Sequence, residues 1–207
     1  MSWRPKVQRA RAPVLKEITL RRMATGTSVY SHAVTQSSLA KSQPMHRYLA
    51  PSPYIDFDAP EIRALAASLA ARANSENELV RSSFEFVRDE IRHSSDFKLK
   101  PVTCKASDVL RHKTGYCYAK SHLLAALLRA NGVPAGLCYQ RLSVTGNGAP
   151  YCLHGLNAVY LKELGWYRID PRGNKPGVDA QFHPPEEALA FPIASPKERD
   201  LPEVWAE

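Results

Sequence analysis

No apolar run in this 207-residue chain is longer than six residues, Leu123–Leu128, so no stretch of the sequence is long enough to cross a bilayer as a helix. Cysteine is scarce, four residues in all, which excludes a small disulfide-stapled scaffold. There is also no C-x-x-C pair of the kind that marks zinc and dithiol sites. Acidic residues are nearly missing from positions 1–44. There Glu17 stands alone against Arg4, Lys6, Arg9, Arg11, Lys16, Arg21, Arg22 and Lys41. No internal repeat is visible, so a solenoid or propeller is not expected.

The charge is the first positive feature. The chain carries a formal +8. Residues 1–44 hold eight basic residues and one acid, a net +7, and the remainder holds twenty basic and nineteen acidic, a net +1. A basic protein invites a nucleic-acid or anionic-surface reading. Here the basicity belongs to a tail and the body is almost neutral, so no nucleic-acid binding is expected through the body. The tail has no sustained periodicity and no apolar core of a secretory signal. It has few large apolar residues to offset its ordering entropy, so it reads as disordered. Three readings of it stay open: a mitochondrial transit peptide, a nucleic-acid arm, or a plain extension with Met23 or Met45 as alternative starts. The expected organisation is a tail at 1–44 and one folded domain at 45–207, cytoplasmic, with no membrane partner. An apolar content of 44% is enough for a real core.

Helix signals come first in the body. Asp58-Ala-Pro60-Glu61 reads as a helix start with Asp58 as cap. Ile62, Leu65, Ala66 and Leu69 follow at helical spacing. Ser75-x-x-Glu78 is a capping box opening a helix with Val80, Phe84, Val87 and Ile91 on one face. Ser107 reads as the cap of a short helix carrying Val109 and Leu110. Gly115 precedes a core helix that holds Cys117 in its first turn and Leu123, Leu124, Leu127 and Leu128 along its length. Asn131-Gly132 ends that helix with a left-handed cap, and Pro134 forbids its continuation. Three strand-like runs then follow at Gly136–Val144, Gly155–Leu161 and Trp166–Asp170, the last two joined by a Lys162–Gly165 hairpin. Val178–Phe182 and Leu189–Ile193 are candidate short strands. Helices followed by an antiparallel sheet predict an α+β fold.

Cys117, His154 and Asp170 are the candidate catalytic residues. A thiol in the first turn of a helix faces unpaired N–H groups and the positive end of the dipole, both of which favour thiolate. The same N–H groups can hold an oxyanion. His154 begins one strand and Asp170 ends the next, where a base and its orienting carboxylate belong. The two must share a sheet face, and side chains alternate along strands. The sum of paired residue numbers must therefore be even, and the register predicted is the one with Leu161 opposite Gly165 and Leu156 opposite Asp170, which makes His154 a diagonal neighbour of Asp170.

Other residues carry weaker signals. His93 is a candidate oxyanion donor, with a loop or surface position as the plain alternative. Tyr116, Tyr118 and Trp166 are candidates to wall a cleft, or simply to pack. Lys120, Arg172 and Lys175 can meet an acidic substrate group, or stay solvated. Cys104, Cys138 and Cys152 read as structural, Cys138 as core. Cys152 can also line the pocket or pair with Cys117 under oxidation. A zinc set from Cys104, Cys138, Cys152 and His154 lacks the usual spacing, so no metal and no cofactor is expected.

Taken together, Gly115-Tyr-Cys117, Gly132-Val-Pro134-Ala135, His154 and Gly165-Trp-Tyr-Arg-Ile-Asp170-Pro171 resemble the transglutaminase-like superfamily of papain-type thiol enzymes. The core of the resemblance covers Ala106–Pro171. The flanks from about Tyr48 onward resemble small single-domain bacterial members described as cysteine proteases. The resemblance implies a transglutaminase-core, papain-like fold in which residues 45–207 form the catalytic domain. It further implies a cysteine nucleophile, a histidine base and an aspartate orienter acting on a peptide or amide. Three departures bear on substrate class. Gly155-Leu156 follows the histidine where many members have Ala-Trp, Tyr118-Ala-Lys120 follows the cysteine where many have an acid, and Pro-Arg-Gly-Asn follows Asp170. There is no room for the extra β domains of animal transglutaminases and no visible calcium loop. Hydrolysis through a thioester is the leading expectation. The alternatives are amine acyl transfer and an inactive binding protein on the same fold.

Overall fold

The computed structural model describes residues 43–146 and 148–207, and the readings of the tail at 1–42 lie outside them. The helical half begins after a 3-10 turn, Met45–Leu49. Helix α1 (Pro60–Ala70) has Pro60 at its first position, where a missing N–H costs nothing. The expected Asp58 cap is not used; Ala59 holds that place and makes no side-chain bond. Helix α2 (Glu76–Glu90) is capped by Ser75, whose Oγ accepts from the Glu78 N–H at 3.2 Å. Glu78 reaches back one residue further than a capping box requires, to the Asn74 N–H at 2.7 Å.

Strand β1 (Arg92–His93), helix α3 (Ser94–Phe97), helix α4 (Ala106–His112) and strand β2 (Thr114–Gly115) follow. Ser107 does not cap α4, which is entered through Lys105. Its N–H and O–H instead both donate to the Asp56 carboxylate, at 3.0 and 2.6 Å. That long-range contact outbids the local cap and ties the lead-in segment to α4. The pairing of β1 with β2 is parallel and sets His93 opposite Gly115.

Helix α5 (Cys117–Ala130) ends as predicted, with Gly132 at φ +74° and the Val133 N–H donating to the Leu128 carbonyl at 3.0 Å. It is buried on every side from Ala119 to Arg129, polar residues included, and so is the centre of the molecule rather than a helix with one wide apolar face. Each of its buried polar side chains makes at least one hydrogen bond. Arg129, for example, donates to the carbonyls of Ala50, Ala135 and Ala206.

The sheet packs on α5. Its strands are β3 (Ala135–Ser143), β4 (Tyr151–Leu161) and β5 (Gly165–Ile169). A small hairpin of β6 (Gln181–His183) and β7 (Glu186–Ala188) follows, and then β8 (Arg199–Asp200) completes the order β5-β4-β3-β8, antiparallel throughout. Of the run Val178–Phe182 only the end enters β6, and Leu189–Ile193 forms no strand. The fold is α+β, as predicted. The β4–β5 register is the predicted one, with Leu161 opposite Gly165 and Asn157 opposite Ile169. Strand β4 starts four residues earlier than expected, so His154 lies inside it, and Asp170 sits one residue beyond β5. On the outer sheet face a second small core gathers Tyr48, Cys138, Leu156, Ala158, Val204 and Ala206.

Candidate active site

Cys117 is the first residue of α5, and Tyr116 at the cap position makes no side-chain cap bond. The first-turn N–H groups of the helix are therefore left without a side-chain acceptor from that cap. The Gly155 N–H donates to Cys117 Sγ at 3.4 Å. Only glycine allows this approach comfortably. A Cβ at position 155 would lie 3.1 Å from the Tyr118 Cα and 3.2 Å from its N, so the Gly155 that departs from the common family pattern is matched to a close strand–helix contact.

His154 and Asp170 meet as the register requires. His154 Nε2 and Asp170 Oδ2 are 2.7 Å apart, and both residues are buried. Asp170 is held in turn by the Arg172 N–H on Oδ1 and the Ala190 N–H on Oδ2, each at 3.1 Å. The Phe191 ring stands edge-on to His154 at 4.9 Å. With Nε2 engaged by the carboxylate, Nδ1 is the nitrogen left to exchange a proton with the thiol.

Electrostatics favour an ion pair. Burial pushes the Cys117 thiol up, but hydrogen bonds from His154 and His93, the His154 charge and the Gly155 N–H outweigh it and bring the thiol down to about 6. Burial pushes His154 down, but the charge and hydrogen bond of Asp170 and the facing thiolate bring it up to about 9.

His93 is not a loop or surface residue. It is 8% exposed, placed by the β1–β2 pairing, and its ring stands edge-on to Tyr116 at 5.8 Å. Its Nδ1 is buried with no hydrogen-bond partner among the described residues and lies 3.9 Å from Asp96 Oδ1. Asp96 is gripped by Arg172 at 2.7 and 3.0 Å and by Lys175 at 2.7 Å. Burial would raise its carboxyl, but these two cations hold it well below the usual carboxylate range. Arg172 and Lys175, considered above for an acidic substrate group, are thus spent on Asp96.

The remaining candidates scatter. Lys120 is neither solvated nor in the cleft. It is fully buried, and its ammonium donates to the carbonyls of Arg88 and Ile91 at the end of α2. Trp166 packs against Tyr48 and Tyr160 and belongs with the outer core. Tyr116 and Tyr118 stack with ring centroids 6.2 Å apart near the thiol. Cys138 is buried in the outer core, Cys152 is exposed and Cys104 is partly buried. Among the described residues no three His, Cys, Asp or Glu side chains cluster as metal ligands.

Sequence reasoning missed two parts of this arrangement. Asp96 sits in a four-residue helix that no periodicity announces. His122, one turn and a residue beyond Cys117, faces a cavity beside the thiol and carried no motif to flag it.

Comparison with known proteins agrees with this architecture. A sequence profile of the transglutaminase-like superfamily matches residues 63–171. No curated protein matches. Among solved structures, the "Putative Cysteine Protease" of Cytophaga hutchinsonii aligns at 21% identity with a TM-score of 0.50, over 66% of this chain and 47% of that one. The periplasmic domain of TgpA from Pseudomonas aeruginosa aligns at 23% identity with a TM-score of 0.46, over 64% of this chain and 48% of that one. The chain spans about half the length of these structures. The profile covers more than half of the chain, and the chain belongs to the transglutaminase-like superfamily.

Proposed function

We propose that the protein is a cysteine-dependent amide or peptide hydrolase in which Cys117, His154 and Asp170 act as nucleophile, acid–base and orienting carboxylate. The observation that carries this reading is the 2.7 Å bond from His154 to Asp170 on one side of a helix-start thiol that already accepts the Gly155 N–H at 3.4 Å. The thiolate adds to the carbonyl carbon. The oxygen takes the negative charge and is held by first-turn N–H groups of α5, with the His93 ring as a side-chain donor. His154 gives its proton to the leaving nitrogen, the C–N bond breaks and a thioester remains. A water then gives its proton to His154 and adds to the thioester. The acid departs and the thiol is restored.

Mass spectrometry with activated acyl esters and peptide amides tests this. Wild type is expected to gain one acyl group on Cys117 and to release it to water, and Cys117→Ala to do neither. Cleavage that survives in Cys117→Ala, or iodoacetamide labelling of Cys117 no faster than a free thiol at pH 7, would overturn the proposal. Release of the acyl group only to added primary amines would reassign the reaction as amine transfer.

A further inference from the structure

A cavity of about 360 Å³ opens beside the thiol. Gly155, whose N–H points at Cys117 Sγ, and Tyr118, the residue after the nucleophile, both line it. That size lies within the range of ordinary ligand pockets. Tyr54, Tyr139, Leu137 and Leu153 supply most of the rest of the wall. Tyr54 and Leu153 are 47% and 62% exposed, and exposed apolar side chains gathered at one cavity mark an interaction site rather than a core.

The polar side chains of the cavity are His122 and the Glu207 carboxylate, and His122 is the one fixed in place by its neighbours. Its Nδ1 donates to the Cys104 carbonyl at 2.8 Å, since a carbonyl can only accept. Burial, reinforced by the charge of Arg129, holds the imidazole neutral against that bond. The neutral ring therefore presents an unprotonated Nε2 as an acceptor, since its bond among the described residues is made through Nδ1. The ring stacks against Tyr54 at 5.8 Å and meets Tyr118 at 6.0 Å, so it cannot turn away easily. Tyr118 spends its own hydroxyl proton on the Thr103 carbonyl at 3.5 Å. Among the described residues no lysine or arginine lines the cavity, so none of them holds a carboxylate there.

From this we infer that the cavity is a substrate subsite for an aromatic side chain that carries a donor, with tyrosine as its best occupant. The occupant's ring stacks among Tyr54, Tyr118 and Tyr139, and its O–H donates to His122 Nε2. The subsite rests on the hydrolase reading, because it selects among substrates of that reaction.

The test is a set of fluorogenic peptide amides differing only in one residue beside the scissile bond, either Tyr, Phe, Leu, Lys or Asp, placed in turn on each side of it. In the wild type the Tyr substrate is expected to exceed Phe about 3- to 10-fold in kcat/KM, the worth of one hydrogen bond, and Asp to be poorest. Leu153→Arg, a change at an exposed position of the wall, is expected to abolish the preference for Tyr. His122→Phe is expected to equalise Tyr and Phe, with circular dichroism reporting that the chain is folded. Equal rates for Tyr and Phe in the wild type would overturn the subsite while leaving the hydrolase intact. A Lys preference lost in Glu207→Gln would overturn it too, because Glu207 also lines the cavity and would then make it a cation site. No cleavage of any substrate, with no acylation of Cys117, would strike the hydrolase reading itself.

Discussion

Cys117 and His154 each shift the other, with Asp170 acting on His154 beside them, and that decides how the proposed chemistry responds to pH. The thiol is brought down to about 6 and the imidazole up to about 9. The thiolate is gained as pH rises through the lower value, and the proton needed by the leaving group is lost as pH passes the upper one. A bell-shaped kcat/KM with limbs near those values is expected, each limb belonging to the pair. Asp170→Asn removes the charge that raises His154, so the basic limb should move down and the rate should drop by at least about 100-fold. His93→Phe removes a hydrogen bond that lowers the thiol. The acid limb of the alkylation profile should then move up, and an unmoved limb would remove His93 from the site. At this scale the sequence was legible where a motif spans it. Cys117, His154 and Asp170 stood out by order and context, whereas His93 reads as a surface residue because only the β1–β2 pairing buries it.

Among the elements, α5 does the most. It carries Cys117, the proposed nucleophile, at its first position, and it is held by bonds whose partners lie far away in sequence. Lys120 is the clearest case. Its ammonium closes the C-terminal end of α2 by donating to the Arg88 and Ile91 carbonyls. Burial pushes it down to about 7, with the Arg172 charge adding to the effect. Lys120→Met should leave those buried carbonyls unpaired and lower stability by about 1–3 kcal/mol, read as a lower urea midpoint at constant slope. An unchanged midpoint would mean that water takes over the role. Helix ends were readable where the cap is local, as at Ser75 and Gly132. They were misread where a distant group competes, as at Ser107, whose partner is Asp56. Hairpin geometry was readable because alternation excludes every register that puts His154 and Asp170 on opposite faces, and the short Lys162–Gly165 connection picks out the one observed.

Over the whole molecule, a nearly neutral body carries the site and the basic excess lies in the first 44 residues. Deleting residues 1–42 is expected to leave amide hydrolysis within about twofold of wild type and to abolish any salt-sensitive binding to duplex DNA. Binding that persists in the truncated chain would place a nucleic-acid surface on a body whose net charge is only +1. The outer sheet face is closed by Tyr48, whose hydroxyl donates to the Val204 carbonyl at 2.7 Å. The bridge of Trp205 to Leu137 runs alongside it. Segments from both flanks of the family-matched region, residues 63–171, thus seal one sheet.

The sequence alone determined the α+β class, the core helix with its thiol, the hairpin register and the family. Each is written in local periodicity, in caps or in residues a few positions apart. Tertiary structure alone decided that His93 faces the thiol, that Arg172 and Lys175 serve Asp96, that Lys120 is a buried cap, and that His122 lines a cavity beside Cys117. Those outcomes depend on which distant backbone groups come within about 3 Å of a side chain, a distance set by packing and absent from any stretch of sequence.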